Sequence, residues 1–182
     1  MKHLVDGYNL LFAAGFGRPE STEDGHLHRA RLTMLNYLTK YLLPQEAHNA
    51  TVVFDAKDAP KHLQSEFEHG GIRVIFARDH DEADDLIEEL IRSENVPHQL
   101  VVVTDDLRLQ VAAQRRRTQL IKCHDWLDSL ERRHRDQRQA QAADEAAQES
   151  QDPRRAKLTP AEVDEWLNEF EIEPRKKTDG QS

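Results

Sequence analysis

Apolar runs alternate with amphipathic stretches along the first 130 residues, and the alternation predicts strands and helices in turn. Runs typical of buried strands occur at 2–6, 50–55, 72–77, 99–104 and, more briefly, 118–122. Between them, apolar positions recur at helical spacing in three segments: Leu27 to Leu42, Asp81 to Ser93 and Leu107 to Ala112. Pro44 predicts that the first of these helices ends close to this residue.

Strands that alternate with helices favour βαβ units, a parallel sheet and right-handed crossovers. The predicted fold is therefore α/β, with a central and mostly parallel sheet and no internal repeat. Residues 13–25 contain Gly15, Gly17 and Pro19 and are predicted as a loop. The polar segment that follows the second strand, with Pro60 and Gly70-Gly71, is predicted as a connection without its own strand.

The pattern changes after Leu130, which predicts a domain over residues 1–130 and a helical extension beyond it. Residues 131–157 contain no large apolar side chain and are predicted as a polar helix or linker. Residues 158–173 regain helical spacing, with an N-cap pattern at Thr159 and Pro160. This short acidic helix is expected to bind an apolar groove, on its own domain or on a protein or ribonucleoprotein partner, through Val163, Trp166, Leu167 and Phe170. Residues 174–182 are predicted to be a flexible terminus.

Composition narrows the class of protein. The formal net charge of the 182-residue chain is −9, which argues against a broad basic surface for nucleic acid but leaves nucleic acid possible as a substrate. No apolar run has the length of a membrane span, and the first twelve residues belong to the strand pattern rather than to a signal peptide. Cys123 is the single cysteine, so an internal disulfide is excluded and a reducing, cytoplasmic location is expected.

Four acidic segments follow or accompany the predicted elements. Asp6 and Asp55 end the first two strands, Asp106 follows the fourth, and Asp84 lies on the helix between the third and fourth. In an open parallel sheet, functional sites form outside the carboxyl ends of the strands. Crowded carboxylates repel one another unless a cation relieves them, and hard cations such as Mg²⁺ prefer oxygen ligands. The pattern predicts a metal-dependent site that acts on phosphates.

Each of these acids also has a structural interpretation. An aspartate at a strand end often caps the next helix, and this applies to Asp6, Asp55 and one member of the pair Asp105 and Asp106. Asp105 is the more replaceable of the pair. The coincidence of several acids at one predicted edge of the sheet favours the functional interpretation.

Two further residues belong to the predicted site. Glu88 lies one turn after Asp84 on the same helix face and is a weaker candidate for a metal ligand. Asn9 follows Asp6 by three residues, and its amide can orient a carboxylate, contact a phosphate, or serve only as a turn residue. Asp85 points to another side of the helix, where solvent is the default.

Other kinds of functional site have weaker support in the sequence. Arg115, Arg116 and Arg117 form a compact basic cluster that can contact an RNA backbone, although a solvated helix end is the simpler interpretation. The histidines have no zinc-ligand spacing, and Gly15-Phe16-Gly17 lacks the lysine and spacing of a phosphate-binding loop.

Four motifs in this order resemble the YacP-like branch of the NYN nucleases, within the wider PIN-like superfamily. They are Val5-Asp6-Gly7-Tyr8-Asn9-Leu10, Val53-Phe54-Asp55-Ala56, Glu82-Ala83-Asp84 with Ile87-Glu88, and Val103-Thr104-Asp105-Asp106. The resemblance covers residues 1–130 and implies a PIN-like Rossmannoid three-layer sandwich. It also implies metal-dependent endoribonuclease activity, with Asp6, Asp55, Asp84 and Asp106 as the acidic site and Asn9 as its amide. Relatives tend to have a small residue where this chain has Asp105.

Three hypotheses of function follow. The first is an RNA endonuclease that uses Mg²⁺ or Mn²⁺ held by Asp6, Asp55, Asp84 and Asp106. The second is a phosphatase or phospho-acceptor domain of similar architecture, which would need an acid where Tyr8 stands. The third is a non-catalytic RNA-binding module with a vestigial pocket, and the full set of repelling carboxylates disfavours it.

Overall fold

The computed structural model describes residues 1–16, 26–56, 64–80, 82–151 and 161. Within them, six strands form one sheet: β1 (Lys2–Asp6), β2 (Ala50–Asp55), β3 (Glu66–His69), β4 (Ile72–Ala77), β5 (Leu100–Val103) and β6 (Gln119–Ile121). The helices are α1 (Gly7–Ala13), α2 (His26–Tyr41), α3 (Pro44–His48), α4 (Ala83–Ser93), α5 (Leu107–Arg116) and α6 (Cys123–Gln151), with a 3-10 turn at Pro97–Gln99. None of the described helices is long and apolar enough to cross a membrane.

The strand order is β3-β4-β2-β1-β5-β6, and every neighbouring pair is parallel except β3 with β4. The chain first builds outward from β1 through β2 to β4. It then crosses back along α4 and places β5 on the other side of β1. The direction of building therefore reverses between β1 and β5, which is the switch point where open α/β sheets bind ligands.

Two apolar cores make the molecule a three-layer sandwich. On one face of the sheet, Val5, Val52 and Val103 pack with apolar side chains of α1, α2, α3 and α6. On the other face, Leu4, Val53 and Val102 pack with α4 and α5. Neighbouring residues of a strand point to opposite faces, so the near-continuous Val and Leu runs are what a sheet covered on both faces requires. The predicted α/β fold is confirmed.

Strand β3 is a correction to the predicted connection. Its residues are only four in number and at most half-buried, so the apolar signal is weak. Gly70 and Gly71, with φ of +57° and +86°, join β3 to β4 as a two-residue hairpin loop. Both positions need positive φ in this turn type, which glycine adopts at little cost. The Gly-Gly pair was the sequence signal for this hairpin.

The first compact unit runs from Met1 to Asp136, and the second from Gln137 to Ser182. Within the first unit, the start of α6 is joined to α2 and α3 by polar contacts. The Tyr37 hydroxyl donates to Glu131 at 2.8 Å, and Arg133 forms a two-bond ion pair with Glu46. The predicted polar segment of residues 131–157 is helical as far as Gln151. The predicted short helix at 158–173 and the predicted terminus at 174–182 lie outside the described residues, apart from residue 161.

Candidate active site at the carboxyl edge of the sheet

Asp6 lies at the end of β1 and is 4% exposed. It is the N-cap of α1, and its Oδ1 accepts the Asn9 backbone N–H at 3.1 Å. The Asn9 side-chain amide donates to Oδ2, which also accepts the Thr104 hydroxyl at 3.0 Å. The capping and the functional interpretations of Asp6 are therefore compatible, because the same bonds that start the helix fix the carboxylate. Asn9 both closes the turn and orients Asp6.

Gly7 allows α1 to begin directly against the sheet. A Cβ atom at this position would lie 2.6 Å from the Phe54 ring and 2.6 Å from the Val53 carbonyl oxygen. Only a residue without a side chain fits between these atoms, so the turn from β1 into α1 is sharp. This turn puts the Asp6 carboxylate at the edge of the sheet rather than over its face.

Thr104 connects the ends of β1 and β5, a role that was not predicted from the sequence. Its side chain is fully buried. Its hydroxyl donates to Asp6 and accepts the Asp106 backbone N–H at 3.0 Å. Asp106 in turn caps α5, with Oδ1 accepting the backbone N–H groups of Arg108 at 2.7 Å and Leu109 at 3.1 Å. A polar residue immediately after a run of four buried residues was the available signal.

Strand alternation separates the roles of Asp105 and Asp106. Val101 and Val103 face the core that contains α6, and Val102 faces α4 and α5. Continued alternation sends Asp105 toward α6, where its charge and a hydrogen bond contribute, after burial, to a raised pKa of the Cys123 thiol. Asp106 turns the other way, toward Asp6. The cap is thus Asp106, and Asp105 belongs to the other face of the sheet.

Asp84 comes from α4 into the same region. Burial, followed by the negative charges of Asp6 and Asp106, raises its pKa from 3.8 to about 6. The pKa of Asp6 is also raised, mainly by burial and in smaller part by the charge of Asp106. The carboxylates of Asp6 and Asp106 are therefore close enough to Asp84 to oppose its ionisation, and Asp106 is close enough to Asp6 to do the same. The structure brings together Asp6, Asp84, Asp106 and Asn9.

Asp55 ends β2 at the same edge of the sheet and is half-buried. Val53 pairs with Asp6 in the register of β1 and β2, so Asp55 lies two residues beyond the level of Asp6, about 7 Å further along the strand. Alternation puts Asp55 on the face of Val53, which is the face covered by α4 and α5. The four predicted acids thus share one edge, with Asp55 as its outermost member.

Arg108 changes the interpretation of two other acids on α4. It lies in the first turn of α5, and its guanidinium pairs with Glu88 at 2.7 Å and with Asp85 at 2.6 Å. Asp85, expected in solvent, is thus an ion-pair partner, and Glu88 is engaged by a cation rather than grouped with the other acids. The positive charge of Arg108 also lowers the pKa of Asp84, against burial and the charges of Asp6, Asp106 and Glu82, which raise it. An isolated arginine between acidic segments carries no periodic signal, which is why its role was missed.

The basic cluster Arg115-Arg116-Arg117 lies at the opposite end of α5 from Asp106, about 15 Å away along the ten-residue helix. Arg116 donates to the backbone carbonyls of Ile91 and Glu94, so it ties the end of α4 to α5. Arg117 is the left-handed C-cap of α5, with φ of +56°. These contacts describe Arg116 and Arg117 as residues of a helix end, and RNA binding by the cluster stays a prediction.

The oxygen atoms of the acids at this edge are the type of ligand that a hard divalent cation prefers. Asp6, Asp84 and Asp106 supply carboxylate oxygens whose mutual repulsion a divalent ion would relieve. Among the described residues, however, no group of three or more His, Cys, Asp or Glu side chains converges as one direct set of ligands.

A second concave region lies at the amino edge of the sheet, away from the acids. It is a cavity of about 320 Å³ lined in part by Lys2, His3 and Arg73. Lys2 pairs with Glu94 at 2.9 Å and Arg73 with Glu66 at 2.6 Å, so acids already balance these two cations.

Comparisons with known proteins agree with the fold. The family model of the YacP-like NYN domain matches residues 3–171. The crystal structure of Rae1 (YacP) from Bacillus subtilis is similar with a TM-score of 0.54 and 22% identity, covering 94% of this chain and 92% of that one. A second crystal structure of that protein, which carries a tryptophan-to-leucine substitution, gives a TM-score of 0.52 and 24% identity, covering 78% and 85%. No curated protein sequence matches the chain.

Proposed function

The chain belongs to the YacP-like NYN domain family, whose function is of nuclease type and related to RNA, and we propose that it is a metal-dependent endoribonuclease. The observation that carries this proposal is the group of Asp6, Asp84 and Asp106 at the switch point of the sheet, in which the charges of Asp6 and Asp106 raise the pKa of Asp84 and the charge of Asp106 raises the pKa of Asp6. Acids that oppose one another's ionisation cost stability, so a purely structural role for the group is disfavoured.

The proposed reaction is hydrolysis of an RNA phosphodiester bond, leaving a 5′-phosphate and a 3′-hydroxyl. Asp6, Asp84 and Asp106, with Asp55 at the outer end, would hold Mg²⁺ or Mn²⁺ directly or through water. A divalent ion supplies charge neutralisation at the phosphate and activation of water. Asn9 and Thr104 keep the Asp6 carboxylate in place, and Arg108 limits the negative charge around Asp84.

The phosphatase hypothesis receives no support from the residue two positions after Asp6. An aspartyl-phosphate mechanism wants an acid there, whereas Tyr8 packs edge-on against Phe54 and its hydroxyl accepts a bond from Arg31 at 2.9 Å. The non-catalytic hypothesis is disfavoured by the retention of all four acids at one edge of the sheet.

The test is cleavage of 5′-labelled single-stranded RNA by the full-length chain with Mg²⁺, Mn²⁺ or EDTA. Asp84→Asn and Asp106→Asn are expected to lower the rate at least about a hundredfold, as on loss of a group that stabilises transition-state charge. Asparagine caps helices nearly as well as aspartate, so the Asp106 variant keeps the start of α5.

Glu89→Gln is the matched control, because it removes one exposed carboxylate of α4 that bonds His80 instead of the acidic group. Its rate is expected to equal that of the unchanged protein. Cleavage that survives EDTA and both Asp→Asn changes would refute the proposal.

A further inference from the structure

One aromatic side chain stands out next to the acidic group. Of the described Phe, Tyr and Trp residues, only Phe12 is exposed, at 45%. Apolar rings usually lie in the core, and the other described aromatic rings do so wholly or in part. An exposed ring beside a candidate site for RNA is therefore a feature that packing does not explain.

The position of Phe12 on α1 connects it with Asp6. The buried residues Gly7, Leu10 and Leu11 define the inner face of the helix. Asn9 and Phe12 are three residues apart on the opposite face, so they are neighbours along its outer ridge. Asn9 bonds to Asp6, and Phe12 lies about 9 Å along the helix axis from Asp6, given a rise of about 1.5 Å per residue.

The ring of Phe12 is supported from below. It stacks on Tyr8, with ring centroids 6.3 Å apart and an angle of 26° between the planes. Tyr8 is itself held, because its ring packs edge-on against Phe54 at 5.4 Å and its hydroxyl accepts a bond from Arg31. A ring that is already held in place loses little conformational entropy when a ligand covers it, so less of the binding free energy is lost to ordering the side chain.

We propose that Phe12, supported by Tyr8, is a stacking platform for a nucleobase of single-stranded RNA next to the cleaved phosphate. The inference rests on RNA being the substrate. Single-stranded RNA is held by bases that stack on aromatic side chains as well as by phosphate contacts. The formal net charge is −9, and Arg115, Arg116 and Arg117 lie at the far end of α5, so these three described arginines are too far away to contact a phosphate beside the acids. Stacking then provides a larger share of the binding.

The test measures binding separately from cleavage. Dissociation constants for a fluorescent single-stranded RNA are measured in EDTA, with a gel to verify that the RNA stays intact. Phe12→Ala is expected to weaken binding about 5- to 150-fold, the range for loss of one stacked base. Phe12→Leu keeps the apolar contact but loses the ring and should weaken binding to a similar degree, whereas Phe12→Trp should retain it. Leu43→Ala is the matched control, because Leu43 is 46% exposed and lies at the start of α3.

A scan with abasic RNA locates the base. Removing the base at one position should weaken binding to the unchanged protein, and the same removal should have no further effect on Phe12→Ala. The inference would be overturned if removal of each base had the same effect on RNA binding by the unchanged protein and by Phe12→Ala. It would also be overturned if Phe12→Trp weakened binding as much as Phe12→Ala.

The outcome is separable from that of the proposed function. If cleavage requires a metal ion and RNA binding does not change when Phe12 is substituted, the nuclease proposal is supported and the stacking platform is refuted. If RNA binding depends on the Phe12 ring but no metal ion supports cleavage, the stacking platform is supported and the nuclease proposal is refuted. Circular dichroism of each variant verifies that the fold is retained.

Discussion

The acids of the carboxyl edge are held in two different ways. Asp6 and Asp106 cap helices and accept backbone N–H groups, so their removal exposes helix ends. Asp84 lies within the first turn of α4, and its ionisation is opposed by burial and by the other two acids. Its charge therefore costs free energy of folding in the metal-free protein, which makes it the residue where function and stability conflict most directly.

Asp84→Asn is expected to raise the melting temperature of the metal-free protein at neutral pH. Asp84 has a pKa of about 6 in the folded state against 3.8 ordinarily, so between these values the folded state binds more protons than the unfolded state. Stability therefore falls as pH rises through this window, and the cost is complete above it. Thermal unfolding in EDTA from about pH 4 to 8 should show a gain for the variant above about pH 6 that vanishes near the ordinary pKa of 3.8. A lower melting temperature for the variant at neutral pH would contradict this.

Gly7→Ala is expected to lower stability by about 1–3 kcal/mol, the usual cost of forcing an extra carbon into a packed site. The new Cβ would meet Phe54 and Val53 at 2.6 Å, so the start of α1 must shift, and Asp6 with it. Gly15→Ala is the control, because its Cβ has open space and only the φ of +72° costs about 1–2 kcal/mol. Urea unfolding should give comparable losses for both, while RNA cleavage should fall only in Gly7→Ala. Equal cleavage by the two variants would show that the turn at Gly7 does not position the site.

At the scale of elements, α4 and α5 are joined across the face of the sheet near the acids. The ion pairs of Arg108 with Asp85 and Glu88 connect the first turn of α5 to the first two turns of α4. These groups are partly exposed and screened by water, so their contribution to overall stability is small. Their effect is local and electrostatic: they bring a cation close to Asp84.

Arg108→Gln is expected to raise the pKa of Asp84 further, because the positive charge that lowers it is lost. A carbon-13 NMR titration of the Asp84 carboxyl group in the metal-free protein measures this pKa directly. Arg92→Gln is the control, since it removes an exposed arginine from the last turn of α4, the helix that carries Asp84, at the end away from the acids. If both variants leave the pKa unchanged, Arg108 does not tune Asp84.

At the scale of the whole molecule, the catalytic proposal depends on the unit Met1–Asp136 alone. The predicted acidic helix at 158–173 is short, and a helix of this length needs a surface to order it. Its acidity makes direct contact with RNA unfavourable. We therefore expect the tail to serve association with another surface rather than the chemistry.

Deleting residues 153–182 is expected to leave metal-dependent cleavage of a simple RNA within a few-fold of the full chain. Substrate choice or partner association in the cell should change instead. Replacing Trp166 and Phe170 by alanine in the full chain is the companion variant, because it removes the apolar stripe without shortening the protein. Loss of all cleavage in a folded deletion protein would show that the tail belongs to the active site.

The order of strands and helices was readable from the sequence, because burial on both faces of a sheet leaves continuous apolar runs and burial on one face of a helix leaves a 3.6-residue period. The acids at the ends of β1, β2 and β5 followed from the same reading. The strand β3 and helix α3 did not, since four or five partly exposed residues carry too little apolar signal.

What only the tertiary structure decided is which elements meet. The position of β5 beside β1 depends on a crossover of the chain, and no local period encodes the strand that lies next to another. That choice makes Asp6 and Asp106 neighbours, brings Asp84 to them, and sends Arg115, Arg116 and Arg117 to the far edge. The sequence by itself determined which residues are acidic and where each strand ends. The packing of α4 and α5 against the sheet determined which of those charges interact, because electrostatic coupling depends on distance in space and not along the chain.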